Sequence, residues 1–423
     1  MSPILTSKRV RSDQSLMEPL LFLVHRIPFP PNKGDKVRSF HLLKFLASRY
    51  RVHLGTFVDD RRDLDHIPEL QRYCASHHVA RLSPRLARIR SLAGFWSGES
   101  LTERYYREPS MAAWVNATLS ENSITKVVVF SAAMVQYVPA DPDLRVVVDL
   151  VDVDSSKWAQ YGKSRRWPLS AIFKREGDRL LAFERAAARR AYATVLVTPG
   201  EAELFRTLAP ESASRVFHAR NGVDVDFFSP QPSLPNPFSI DEEPIVFTGA
   251  MDYWPNVDAV SWFARQILPL VAQQRPKASF HIVGAQPTAS VRALARDRRV
   301  FVTGRVPDVR PYLQHARVVV APMRIARGIQ NKVLEGMAMA RPVVVSAAAA
   351  RALSMEPGRD LDIADGATEF SGKTIAAMEP HRGATVGAAA RARVVADYDW
   401  AKNLAPFDSL LRDPAPAMRR AAV

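Results

Sequence analysis

From Leu20 onward, short aliphatic and β-branched runs alternate with longer stretches in which apolar residues recur every three or four positions. Runs of the first kind suit strands buried on both faces, and stretches of the second kind suit helices packed against them. The pattern therefore predicts an α/β chain built on parallel sheets. In the first half, strands are expected at 20–24, 51–57, 78–82, 126–130, 145–149 and 194–198, with helices at 37–48, 111–119 and 169–190. Residues 229–244 hold five prolines in sixteen positions, the composition of an extended linker, and the domain boundary is placed there. The alternation then restarts, with strands expected at 245–247, 279–283, 300–303, 318–321 and 342–346 and helices at 256–273, 288–296, 309–314 and 329–339. Two doubly wound domains result, 20–228 and 245–398, with tails at 1–19 and 412–423. An amphipathic stretch at 399–411 is expected as a C-terminal helix packing back toward the N-terminal domain. Sheets of this kind bind ligands at the carboxyl ends of their strands, where strand order reverses, so paired domains invite a cleft between them.

Composition narrows the class. The 423 residues are 47% hydrophobic, enough for a substantial core in each domain, and no apolar run approaches the ~20 residues of a membrane span. Residues 1–19 carry Lys8, Arg9 and Arg11 without a signal peptide's apolar stretch, which reads as the flexible tail of a cytoplasmic protein, with Met17 as an alternative start. A single cysteine, Cys74, excludes an intramolecular disulfide and a cysteine-cluster metal site, and the ten histidines show no metal-ligand spacing. The net charge of +15 calls for an acidic partner, whether nucleic acid, an anionic membrane surface or phosphorylated substrates, unless it reflects arginine-rich coding alone. Segments 81–90 and 163–175 combine arginines with Leu92, Phe95, Trp96 and Trp167 nearby, the composition of a face that docks on an inner leaflet.

Candidate chemistry lies where strands end. The loop after the first strand places Lys33, Gly34, Lys36 and Arg38 at a helix N-terminus, where unpaired N–H groups favour anions. The strand at 145–149 runs into Asp149, Asp152 and Asp154, and carboxylates at the tip of a buried strand are costly unless paired or employed. Asp152-Val153-Asp154 also has the DxD spacing of metal-bound diphosphate sites, although the same triplet recurs at Asp224-Val225-Asp226. In the second domain Gly249 follows a strand and precedes a helix, geometry suited to a diphosphate against backbone amides, and Gly304 with Arg305 follows another strand at a position suited to a base. Gly328 opens a further helix on which Asn331, Lys332 and Glu335 share one face, a cation for phosphate and an acceptor for ribose hydroxyls.

These residues resemble glycosyltransferases of the GT-B fold, in particular family 4 with its Glyco_trans_1-type C-terminal domain. The likeness rests on Arg220-Asn221-Gly222-Val223-Asp224 with Phe228, and on Lys332-Val333-Leu334-Glu335 followed by Pro342-Val343-Val344. The loop 24–43, the acidic segment 147–158 and the block 324–345 further resemble sugar transferases associated with PEP-CTERM/exosortase systems and exopolysaccharide gene clusters. The resemblance implies two Rossmann-like domains facing a cleft, a nucleotide-sugar donor in the C-terminal domain, and a glycan or polyprenyl-linked acceptor in the N-terminal one. It also implies retention of configuration and no bound metal or other cofactor. Many family 4 members carry a glutamate eight positions before the residue matching Glu335, where this chain has Arg327, and the usual basic pair after the Gly249 turn is missing. Arg327 and Lys332 are therefore assigned to the leaving diphosphate, and Asp149 or Asp152 occupies the place of a catalytic-site histidine. A GT-B sugar-nucleotide epimerase and a basic nucleic-acid binder are the alternatives; no helix-turn-helix, zinc-finger or RNA-reading aromatic motif supports the second, so no nucleic-acid partner is expected.

Overall fold

Seven short strands rich in Val, Leu and Phe build the first sheet of the computed structural model, which describes residues 17–31, 34–163, 167–326 and 328–412. They are β1 (Pro19–Val24), β2 (Arg51–Val58), β3 (Ser76–Arg81), β4 (Lys126–Phe130), β5 (Arg145–Val151), β6 (Ala193–Leu196) and β7 (Val216–His218). All pair in parallel in the order β3-β2-β1-β4-β5-β6-β7, so strand order reverses between β1 and β4. Leu21, Leu23, Val127, Val129 and Val148 have no solvent exposure, as strands covered on both faces require.

The helices that place the strand ends in this unit are α1 (Gly34–Ala47), α2 (Pro84–Leu92), α3 (Leu101–Tyr105), α4 (Asp154–Lys163) and α5 (Leu169–Arg190). Two buried glutamates on α5 tie its neighbours to it. Glu176 accepts hydrogen bonds from the N–H groups of Leu101 (2.7 Å) and Thr102 (3.0 Å) at the start of α3. Glu184 accepts from the N–H (3.1 Å) and hydroxyl (2.6 Å) of Ser155 at the start of α4. Each carboxylate meets unpaired donors at a helix N-terminus, which makes its burial tolerable and fixes the chain that follows β5.

The second unit repeats the plan with β8 (Glu243–Thr248), β9 (Ala278–Val283), β10 (Val300–Gly304), β11 (Val318–Ala321), β12 (Val343–Val345) and β13 (Asp362–Ile363). Its parallel order is β10-β9-β8-β11-β12-β13, with the reversal between β8 and β11. Here α6 (Trp254–Trp262) follows β8, α7 (Asn331–Ala338) follows β11, and α8 (Trp400–Arg412) closes the described chain. The expected doubly wound α/β architecture is thus present twice.

The division differs from the expected linker. The units comprise described residues of 1–220 with 404–423, and of 221–403. Residues 229–244 belong to the second unit: Phe238 is buried with its ring 4.5 Å from that of His281, and Gln231 exchanges hydrogen bonds of 2.7 and 2.8 Å with Gln314. A proline-rich composition reads as a spacer, yet an extended segment with one aromatic anchor packs without secondary structure. From Leu404 the last helix belongs to the first unit, where Asp408 accepts from the Tyr50 hydroxyl at 3.1 Å. Residues 1–16 and 413–423 of the expected tails lie outside the described residues.

Candidate functional site

In the second unit the carboxyl ends of β8, β9 and β10 are joined by backbone hydrogen bonds beyond the strands. Gly249 N–H donates to Val283 (3.0 Å), Met251 N–H to Ala285 (2.8 Å) and Gly284 N–H to Gly304 (3.1 Å). Three glycines thereby line up at the carboxyl ends of β8, β9 and β10. A Cβ on Gly284 would stand 1.7 Å from the Gly249 carbonyl oxygen, so no side chain fits there. Gly304 has φ +72° with nothing within 4 Å of where a Cβ would be, leaving an open floor beside Arg305, which is exposed. Gly284→Ala is accordingly expected to push the Gly249 turn away, at a cost of about 1–3 kcal/mol or more. Thermal unfolding and nucleotide binding would both record that loss.

Lys332 reaches this turn from the first turn of α7. Its ammonium donates to Asn256 Oδ1 at 2.9 Å and lies 5.0 Å from the Phe247 ring centre. Asn256 in turn donates from Nδ2 to the Ala250 carbonyl at 2.8 Å, so one amide fixes both the Gly249 turn and the lysine. Burial lowers Lys332 to about 8, against the pull of Glu335. Burial raises Glu335 to about 7, against the pull of Lys332. The Glu335 carboxylate has no hydrogen bond or ion pair among the described residues, its backbone carbonyl alone accepting from Met339 N–H, and Asn331 Oδ1 and Thr248 Oγ1 are buried without partners. A carboxylate and two acceptors left unspent at one end of a sheet are costly alone and suit a ligand carrying hydroxyls. Gly336 explains how Glu335 comes to sit there: a Cβ at Gly336 would be 3.1 Å from Val319 Cγ1, so the glycine lets α7 lie close on β11. No side chain caps the start of α7, although Val333 N–H is bonded to the Gln330 carbonyl at 2.9 Å, and a helix start of this kind favours an anion.

The structure thus brings Gly249 and Lys332 together, places Asn331 and Glu335 on the same helix, and sets Gly304 in the same row of strand ends. Gly328 takes φ +59° ahead of α7, while Arg327 lies outside the described residues. Asn256 and Gly284 escaped the sequence reading, because an asparagine in a first helical turn and a lone glycine after a strand carry no signal until their partners are known.

In the first unit the corresponding strand end differs from expectation. Lys36 turns inward to Asp63 at 2.6 Å, and Arg38, with no exposure, forks onto Asp149 at 2.8 and 3.2 Å and donates to the Ala219 carbonyl at 2.8 Å. Neither cation lines the loop, and Asp149 is a buried anchor rather than an open catalytic carboxylate. Its Oδ1 also accepts from Val151 N–H at 3.1 Å, and Val151 holds φ +68°, an unusual conformation for a β-branched residue. Asp152 and Asp154 both bind Lys157 at 2.8 Å. Among the described residues no group of three or more His, Cys, Asp or Glu is placed to hold a metal ion. Gly34 is exposed at the start of α1, with nothing within 4 Å of a Cβ position, and Lys33 lies outside the described residues.

What stands at the β1 and α1 ends is a cluster the sequence reading missed. Arg26 bridges Asp35 (2.6 Å) and Asp59 (3.2 Å), and His25 Nε2 lies 3.6 Å from Asp35. The His25 ring stacks on Phe130 at 5.8 Å and meets the edge of Tyr106 at 5.7 Å. Burial alone would raise Asp35, but His25 and the Arg26 charge hold it well below the usual carboxylate range. The four polar residues remain partly exposed, at 16% to 30% of their side-chain area, so they can meet a polar ligand.

Comparison with known proteins finds a family match within the second unit and solved structures of similar fold. Residues 242–379 match the family described as glycosyl transferases group 1. No curated protein matches the sequence. Among solved structures, the chain is similar to sucrose-phosphate synthase from Thermosynechococcus elongatus, at 18% identity and TM-score 0.66 over 93% of this chain and 98% of that one. It is also similar to Anabaena HepE in complex with UDP and glucose, at 15% identity and TM-score 0.65 over 93% and 99% of the two chains. A third is WaaG, a glycosyltransferase involved in lipopolysaccharide biosynthesis, at 15% identity and TM-score 0.60 over 93% and 100%. The chain therefore has the two-domain, Rossmann-like GT-B fold, and the match to glycosyl transferases group 1 falls within its second unit.

Proposed function

We propose that this protein transfers a sugar from a nucleotide diphosphate to a glycan or polyprenyl-linked acceptor. The observation that carries the reading is the placing of Lys332, fixed by Asn256 over the Gly249 turn, beside Glu335 three residues later on α7, whose carboxylate has no hydrogen bond or ion pair among the described residues. Lys332 and the start of α7 stabilise the charge that develops on the departing diphosphate, and Glu335 accepts hydrogen bonds from ribose hydroxyls. The group 1 match over 242–379 supports this assignment of the donor to the second unit. The acceptor is assigned to the first unit, where His25, Arg26, Asp35 and Asp59 offer donors and acceptors to a hydroxyl-rich ligand.

The finer reading is a hexosyltransferase of the family 4 type that retains configuration without a bound metal. It acts in exopolysaccharide synthesis at the cytoplasmic face of the membrane and has no nucleic-acid partner. It rests on the PEP-CTERM-type sequence blocks and on the engagement of Asp152 and Asp154 by Lys157, which leaves neither free for a cation. The test is incubation with radiolabelled nucleotide sugars and a polyprenyl-phosphate-linked acceptor, with and without chelator. The expected result is chelator-resistant product whose new linkage keeps the donor's anomeric configuration by NMR. Product formed only with added metal, or an epimerised nucleotide sugar made without acceptor, would overturn it.

A further inference from the structure

We infer that α2 and the turn after it form a surface that docks on an anionic lipid bilayer, with Leu86, Ile89, Leu92 and Trp96 entering the headgroup boundary while Arg81, Arg85 and Arg88 meet lipid phosphates. The orientation of α2 is the decisive observation. Its inward positions are small, Ala87 at 0% and Ser91 at 7% exposure, whereas Leu86, Ile89 and Leu92 stand out at 62%, 65% and 50%. Their spacing of three places them on one stripe of the helix. The stripe continues into Gly94–Ser97, where Trp96 is 86% exposed. Arg175 of α5 donates to the Gly94 carbonyl and lies 4.8 Å from the Phe95 ring centre, so the turn is fixed to a long helix. The start of that helix exposes Trp167 and Leu169 at 82% and 48%.

Charge selects the occupant. Residues 81–98 hold four arginines and no acid. Arg90 pairs with Glu108 at 3.6 Å, but Arg81, Arg85 and Arg88 are exposed and have no ion pair among the described residues. An apolar protein partner would cover the leucines and leave the cations unmatched, and a nucleic acid would match the cations and leave Leu86, Ile89 and Leu92 in water. An anionic bilayer satisfies both at once: apolar side chains sink past the headgroups and tryptophan favours that boundary. Among the described residues no helix is long and apolar enough to cross a membrane, so the contact lies on the surface. The inference deepens the glycosyl-transfer reading, and rests on it, only in saying where a lipid-linked acceptor would be met.

The test is sedimentation of the full chain with vesicles of phosphatidylcholine alone and of phosphatidylcholine with phosphatidylglycerol. Two multiple variants accompany the wild type: Arg85→Ser with Arg88→Ser, and Leu86→Ser with Ile89→Ser and Trp96→Ser. These side chains are exposed, and unchanged thermal unfolding verifies the fold, while unchanged binding of whichever of UDP, GDP and dTDP the wild type takes keeps the donor site separate from the surface. The wild type is expected to bind the anionic vesicles and not the neutral ones, and each variant to bind about 10- to 30-fold more weakly. Equal binding to both vesicles, or full binding by either variant, would overturn the proposal. So would a dimer in light scattering that the apolar variant dissolves, since the surface would then belong to a second copy of the chain.

Discussion

Asp149→Ala is expected to destabilise the first unit by about 3–5 kcal/mol, the cost of leaving one partner of a buried ion pair uncompensated. The partner is Arg38, which like Asp149 has no exposure and which also donates to the Ala219 carbonyl. The carboxylate also receives Val151 N–H, so the substitution releases the strained end of β5 as well. Urea unfolding of the wild type, Asp149→Ala and the double variant Arg38→Met with Asp149→Leu measures this directly. The double variant removes both charges and is expected to recover most of the loss. A single variant costing under ~1 kcal/mol would mean the pair is not formed in solution.

Lys332→Met is expected to lower turnover about 10²- to 10³-fold, the usual consequence of removing one fixed group that stabilises developing charge. Methionine keeps the length and the contact with Phe247 while removing the ammonium, so packing changes little. The same pair of groups sets the pH profile. Glu335, raised to about 7 by burial, accepts ribose hydrogen bonds fully only once it ionises, so turnover rises with pH through that value. Lys332, lowered to about 8, loses its charge above that value, so turnover then falls. A narrow maximum between the two is the expected profile in steady-state assays. Lys332→Met should lose the alkaline limb and keep the acid one, a difference that a merely structural lysine would not produce.

Much of this architecture is legible from patterning, because strands covered on both faces read as unbroken aliphatic runs: β4 and β11 coincide with the expected 126–130 and 318–321. The missed strands, β7 and β13, are three and two residues long and hold His218 and Asp362, too short and too polar for a run to show. Long-range pairing explains the other errors. Asp149 stands out in the sequence as a carboxylate on a buried strand, but Arg38 lies 111 positions earlier, and only the fold shows that each neutralises the other. Lys36 and Asp63 repeat the case. Lys332 and Glu335 were readable because their spacing is local to one helix. Asn256, 76 positions from the lysine it holds, was not.

On the proposed function, the carboxyl ends of β8 and β11 hold a nucleoside diphosphate with its ribose on Glu335. Calorimetric titration of UDP, GDP and dTDP, without added metal, into the wild type and Glu335→Ala tests it most directly. One of the three is expected to bind the wild type, and the variant to bind it about 10- to 150-fold more weakly, the value of a charge-assisted hydrogen bond worth ~1.5 to 3 kcal/mol. Equal affinity in the two proteins, or no binding of any of the three to the wild type, would contradict it.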